Sequence, residues 1–194
     1  LLEDGRVAVG LHHMWPGNSL KVVTRAAVPL GEWAHVAVTY DGSSRASGVR
    51  IYLDGVEAPH EVIRDGLTKD ITYEGGEPDL AIGYRFRDHG FQGGRVDDFR
   101  VFNRELTRLE AAHLAGRPDL TAAWKASPGT LAGAAREGLR EYFAATVDPT
   151  SVRRYEDLHA LRKEQSQLVN PIPEAMVMQE MERPKPAFVL KRGA

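Results

Sequence analysis

Residues 31–55, with the sequence GEWAHVAVTYDGSSRASGVRIYLDG, decide the fold predicted for this chain. Residues 33–40 are rich in aromatic and β-branched side chains, which suit a pleated and half-buried surface. A polar turn follows, and the strand pattern resumes at 49–53, where apolar side chains alternate with Arg50 and Tyr52. The Asp-Gly pair that closes the stretch is a strong hairpin signal. The stretch therefore predicts two β-strands joined by a turn.

Further short strands are predicted on both sides of that hairpin. Residues 6–13 alternate apolar and other side chains, and residues 20–24 form a second candidate after a turn at 15–18. Two more candidates lie at 80–83 and 95–102, between glycine-rich and aspartate-rich turns. Short strands separated by such turns are typical of a sandwich. We therefore predict a mainly β fold of stacked antiparallel layers.

Beyond residue 103 the apolar spacing becomes helical. Thr107 is a plausible N-cap, with Glu110 three residues later, for a short helix that Gly116 ends. Residues 120–146 predict a second helix, interrupted near Ser127-Pro128-Gly129. Residues 151–168 predict a third, with one apolar face formed by Tyr155, Leu158, Leu161 and Leu168. We interpret the longer helices as an antiparallel hairpin or a partner-seeking arm, followed by an extended tail.

The composition excludes several classes of function. A chain of 194 residues with a formal net charge of −2 predicts one domain or two small ones, and gives no reason to expect nucleic acid as a partner. It contains no cysteine, which rules out disulfides, thiolate metal sites, cysteine nucleophiles and covalent c-type haem within this chain. No apolar run approaches the length of a membrane span.

Four stretches closely resemble the laminin-G-like, concanavalin A-like jelly-roll domains. They are WAHVAVTYDG at 33–42, GVRIYLDG at 48–55, LAIG at 80–83 and FQGGRVDDFRVFNREL at 91–106. The resemblance implies an antiparallel jelly-roll β-sandwich over residues 1–116. A complete domain of this family usually has further strands before Leu1, so we interpret the chain as a fragment whose N-terminal strands are missing.

Two other stretches are similar to a narrower subgroup, the planctomycete-type multidomain proteins that also carry cytochrome c and uncharacterised domains. They are WPGN at 15–18 and VMQEMERPKPAFVLKRG at 177–193. This resemblance implies an exported protein, in the periplasm or at the cell surface, whose neighbouring domains are its partners. Residues 117–170 would then be a helical linker or hairpin, and residues 171–194 the extended start of a following domain.

Carboxylates in turns raise the possibility of a calcium site, which laminin-G-like domains sometimes have. The candidate ligands are Asp41, Asp97 and Asp98. Calcium takes six to eight oxygens, and no compact acidic loop here supplies them. The alternative is that each carboxylate pairs with a nearby arginine, such as Arg100 or Arg104, or caps a turn.

The histidines do not form a convincing metal site. His12 and His13 lie beside Trp15, but adjacent strand residues point to opposite faces and chelate poorly. His35 is interpreted as a framework residue of the central hairpin. The remaining histidines are scattered along the chain, at His60, His89, His113 and His159.

Aromatic side chains in loops could stack on sugar rings, as in carbohydrate-binding sandwiches. The predicted ligand-binding set is Trp15, Asn18, Tyr84, Phe86 and Phe91. The alternative is that aromatic residues serve packing. In that case the core would contain Trp33, Tyr40, Phe99 and Phe102, and the loop aromatics would cover the ends of the sheets.

Three functions compete at this point. The first is a non-catalytic module that binds carbohydrate or docks neighbouring domains. The second is a glycan-active enzyme fragment, which would need two carboxylates facing one cleft. Asp97 and Asp98 are adjacent and diverge on a strand, and no other same-face pair is evident. The third is a structural spacer between a haem domain and a catalytic domain.

Overall fold

In the residues that the computed structural model describes, two three-stranded antiparallel sheets pack face to face. In sheet A, β2 (Asn18–Ala27) lies between β1 (Arg6–Met14) and β6 (His60–Asp65); in sheet B, β4 (Val49–Leu53) lies between β3 (Val36–Tyr40) and β5 (Val56–Glu57). The structure describes residues 1–71, 80–83, 93–127, 129–131, 133–175 and 177–178. The predicted central hairpin is confirmed, and so are the two strands predicted at residues 6–13 and 20–24.

The core lies between the two sheets. Leu20 and Val22 of β2 face Val49 and Ile51 of β4, and Val7 of β1 completes the contact. The apolar residues that alternate along 49–53 therefore share the core-facing side of β4, as predicted. Tyr52 points the other way, yet it is also buried, since helices cover the outer face of sheet B.

The segment at Ala58-Pro59 carries the chain from one sheet to the other. The backbone amide of Ala58 donates to the carbonyl of Ile51 in sheet B, at 2.8 Å. The next carbonyl, of Pro59, accepts from the amide of Arg25 in sheet A, at 2.9 Å. Because consecutive residues bond to different sheets, this crossover ties the two sheets together at one edge.

The predictions for residues 80–83 and 95–102 are wrong, since neither described segment forms a strand. Asp98 has a φ of 52°, in the left-handed region, which interrupts an extended backbone. Trp33, Phe99 and Phe102 are exposed rather than core, whereas Tyr40 packs against the core. Strand β3 also begins at Val36, so the aromatic start of the predicted strand lies outside the ladder.

Four helices follow the sheets in the described part of the chain, where the spacing predicted three, because the helix predicted over 120–146 is divided in two near its predicted interruption. They are α1 (Arg108–Leu114), α2 (Asp119–Lys125), α3 (Gly133–Thr146) and α4 (Pro149–Val169). Helical residues outnumber strand residues in the described part of the chain, so the description of the whole chain as mainly β is corrected. The jelly-roll order of strands stays a prediction.

A capping box begins α1. The Thr107 hydroxyl accepts from the Glu110 amide at 3.4 Å, and the Glu110 carboxylate accepts from the Thr107 amide at 2.9 Å. Burial alone would raise the pKa of Glu110, but hydrogen bonds from Arg104 and Thr107 outweigh burial and lower it. The cap predicted from two residue types at a fixed spacing is thus confirmed.

Replacing Thr107 with alanine is expected to lower the free energy of unfolding by about 0.5–2 kcal/mol, because the Glu110 amide in the first turn of α1 loses its acceptor. Urea denaturation followed by circular dichroism would measure the change. The matched control is Thr150→Ala in the exposed first turn of α4, which should stay within about 0.5 kcal/mol of the parent. Equal losses for the two variants would contradict the capping role.

Candidate functional site

A cluster of aromatic and cationic side chains lies on the outer face of sheet A, and we name it the Trp15 patch. Trp15 follows β1 and is 49% exposed. The Lys21 ammonium lies 5.4 Å from the Trp15 ring centroid, and the Arg64 guanidinium carbon lies 5.7 Å from it. His12 packs edge-on against the same ring, with 5.2 Å between centroids and 84° between planes.

Strand register assembles this patch. Lys21 of β2 is the direct cross-strand partner of Arg64 of β6, and Gly10 of β1 is its partner on the other side. The residue between Leu20 and Val22 faces outward because those two face the core. Two strands that are distant in sequence therefore place two cations side by side next to Trp15.

The electrostatics of the Trp15 patch are unbalanced. Like charges directly opposite each other on a sheet are destabilising, and the aromatic ring offsets part of that repulsion through cation–π contacts. Within the described residues, neither Lys21 nor Arg64 forms an ion pair with a carboxylate. The arrangement can attract a negatively charged group and offer it an apolar surface.

Asn18 belongs to the framework rather than to this surface. It is 4% exposed, and its amide nitrogen donates to Thr68 at 2.8 Å and to Glu174 at 2.6 Å. Its amide oxygen accepts from the backbone amides of Thr68 and Lys69. An asparagine side chain offers two donors and two acceptor positions, so no capacity is left for a ligand. The predicted ligand role of Asn18 is corrected for that reason.

The three predicted calcium ligands do not converge. Asp41 caps its own turn by accepting from the Ser43 amide at 2.9 Å, and its carboxylate lies 3.7 Å from Arg162 of α4. Asp98 holds Arg100 with two hydrogen bonds of 2.9 Å. Among the described residues, no group of three or more histidine, aspartate or glutamate side chains is arranged to hold a metal ion.

A family model described as the concanavalin A-like lectin/glucanases superfamily, with the short name Laminin_G_3, matches residues 3–112. The chain belongs to this superfamily. The matched range contains both sheets, the Trp15 patch and most of α1. The resemblance predicted from the central hairpin is confirmed at this level, and the multidomain cytochrome c context stays a prediction.

Comparison of this superfamily domain with solved structures found an S-layer domain-containing protein of Clostridium thermocellum ATCC 27405 (residues 221–444). The two chains are 21% identical, and the match covers 59% of this chain and 65% of the other, with a TM-score of 0.35. This chain thus spans less than two thirds of that structure. Comparison with curated proteins gave no match.

Two of the histidines considered in the sequence, His13 and His35, have separate surroundings. His13 and the carbonyl oxygen of Asp70 are 2.8 Å apart, on the side of the strand away from His12. His35 Nδ1 is buried without a hydrogen-bond partner in the part of the chain that the structure describes. Tyr84, Phe86 and Phe91, together with His89, lie outside the described residues.

Sequence reasoning singled out Trp15 and missed Lys21 and Arg64. The two cations are unremarkable in sequence, because Lys21 stands between two apolar residues as any outward-facing strand residue does, and Arg64 belongs to a run of mixed charge at 60–65. A correct pairing of residues 20–24 with residues 60–65 would have placed them side by side. None of the helices in the described part of the chain is both long and apolar enough to cross a bilayer.

Proposed function

We propose that this superfamily domain is a non-catalytic module that binds acidic carbohydrate at the Trp15 patch. The observation that carries the proposal is the cross-strand pair of Lys21 and Arg64 beside a half-exposed tryptophan. A uronic acid or sulfated sugar supplies both complementary features: C–H groups for the ring, and an anion for the two cations. The superfamily description, which names lectins, supports a sugar as ligand.

Replacing Trp15 with alanine should weaken binding of a polygalacturonate oligomer about ten-fold or more, because aromatic anchors dominate small interfaces. Isothermal titration calorimetry would measure the affinity, with maltohexaose as the neutral comparison. Trp33→Ala is the matched control, since Trp33 is 67% exposed and lies outside the patch. The proposal fails if the acidic oligomer does not bind, or if the two tryptophan variants lose affinity equally.

Repeating the titration with EDTA and with added Ca²⁺ would separate a calcium-dependent lectin from the charge-based site proposed here. The Trp15 patch predicts binding in EDTA that weakens with salt, because exposed charges are screened. Binding only with Ca²⁺ would point instead to the predicted carboxylates Asp41, Asp97 and Asp98.

A second candidate is domain docking, which the surface of α4 favours. None of the residues of α4 is buried, and Leu161 and Leu168 are among its exposed apolar side chains. In this proposal residues 1–116 form the sandwich, 117–170 the helical linker and 171–194 the start of a following domain of an exported protein. A spacer role between a haem domain and a catalytic domain is the version of this candidate without a ligand.

A further inference from the structure

Residues 170–174, which follow α4, lie along the loop at 66–70, and we name them the strap. None of the strap side chains is buried, and Ile172 is 56% exposed. The first strap residue, Asn170, exchanges two exposed hydrogen bonds with Asp70, at 3.0 and 2.8 Å. Because the strap buries no apolar side chain, polar contacts hold it against the sandwich.

Lys69 is a buried cation that the strap covers. Its side chain is 8% exposed, and its ammonium donates to the Ile172 carbonyl oxygen. A carboxylate oxygen of Glu174 lies 3.9 Å from the same ammonium. Among the described residues, both partners of this ammonium therefore belong to the strap. A buried charge needs a partner, so an anion from solvent can take the place of the strap when the strap moves away.

Glu174 occupies the position that such an anion would take. Its carboxylate accepts from Asn18 Nδ2 at 2.6 Å but stays at the outer limit of an ion pair with Lys69. The Glu174 side chain is 31% exposed, so the position is open to solvent on one side. The Asn18 amide oxygen remains bonded to the amides of Thr68 and Lys69, which fixes the direction of the Nδ2 donor. Only the donor that Glu174 holds would change partner.

We propose that Lys69 and Asn18 form a binding site for a carboxylate, and that the strap occupies this site through Glu174. A carboxylate of another molecule binds when the strap is released, so the strap and the ligand exclude each other. The occupant itself defines the ligand class, because one carboxylate oxygen accepts from the Asn18 amide while the other approaches the ammonium. The inference is independent of the proposed carbohydrate function, since its test uses no sugar.

Acetate tests the proposal, because it is a carboxylate with no other polar group, and acetamide is its neutral counterpart of the same shape. Amide chemical shifts of the ¹⁵N-labelled full chain would be followed at constant ionic strength, with sodium chloride as the balancing salt. In Glu174→Ala, acetate should shift the signals of Thr68, Lys69 and the Asn18 side chain. It should bind this variant about three- to ten-fold more tightly than the wild type, because the tethered carboxylate no longer competes. Acetamide should bind more weakly than acetate.

Three further variants decide whether Lys69 and the strap are responsible. Lys69→Met in the Glu174→Ala chain keeps an apolar stem and removes the charge, so acetate binding should be lost. Glu174→Gln keeps the native shape and an acceptor for Asn18, and it should bind acetate with an affinity between those of the wild type and Glu174→Ala. It carries the same comparison with the wild type if the alanine variant does not fold. Glu164→Ala, at an exposed position of α4, is the matched control and should leave the wild-type affinity unchanged.

The outcomes that would overturn the carboxylate site are specific. The first is that acetate binds neither Glu174→Ala nor Glu174→Gln more tightly than the wild type. The second is equal binding of acetate and acetamide to the released site. The third is acetate binding that survives Lys69→Met, since the buried ammonium would then play no part.

Discussion

Replacing Ile51 with alanine is expected to lower the free energy of unfolding by about 2–5 kcal/mol. Ile51 is 0% exposed and lies in the middle of β4, the central strand of sheet B. Its side chain packs between the two sheets against residues of β2. Truncation removes three carbons from contact with the core, and the crossover at Ala58-Pro59 limits how far the sheets can close the resulting cavity.

Urea denaturation with two independent probes would measure this loss and test whether unfolding is two-state. Val38→Ala is the matched control, because Val38 is the direct cross-strand partner of Ile51 and yet is 46% exposed. The control should cost about 1 kcal/mol or less, the range of β-propensity alone. A loss in Ile51→Ala no larger than in the control would show that sheets A and B do not share a tightly packed core.

Replacing Asn18 with alanine should have the second largest effect, a loss of about 2–4 kcal/mol. The variant removes four hydrogen bonds from a buried position and leaves the Thr68 and Lys69 amides without their acceptor. Each net hydrogen bond is worth about 1 kcal/mol, and an unsatisfied buried amide costs about as much or more. Because one partner is Glu174, the variant should also loosen the segment that follows α4.

Amide hydrogen exchange at Thr68 and Lys69 would report the local effect, alongside the global change from urea denaturation. Asn170→Ala is the control: its side chain bonds to Asp70 over a comparable distance in sequence, but the contact is exposed. We expect that variant to lose about 1 kcal/mol or less. Full retention of stability in Asn18→Ala would contradict the framework role of this residue.

The features that sequence reasoning predicted correctly are those governed by neighbouring residues. The capping box of α1 needs only Thr107 and Glu110 three positions apart, and it is present. The central hairpin needs alternating residues and a turn, and β3 and β4 pair in that register. By contrast, residues 95–102 have apolar strand-like composition, but a strand also needs a partner edge and extended dihedral angles, which Asp98 interrupts.

In the candidate site, too, sequence reasoning identified what neighbouring residues govern and missed what depends on distant residues. Trp15 was identified as a loop aromatic next to a predicted strand, and it is half-exposed there. Lys21 and Arg64 could not be identified in that way, because only the pairing of β2 with β6 brings the two cations together beside Trp15. Asn18 was assigned to the surface from its turn position, whereas contacts from Thr68 and Glu174, far along the chain, bury it.

The sequence by itself determined the membership of a sandwich-forming superfamily, the helices after residue 103 and the turn that carries Trp15, since periodicity and capping act over a few residues. Only the tertiary structure decided which cations meet at Trp15, which polar side chains are buried, and which residues of sheet B, such as Tyr52, the helices cover. Those outcomes depend on contacts between residues dozens of positions apart. Strand register and helix packing set such contacts, and no local pattern encodes them.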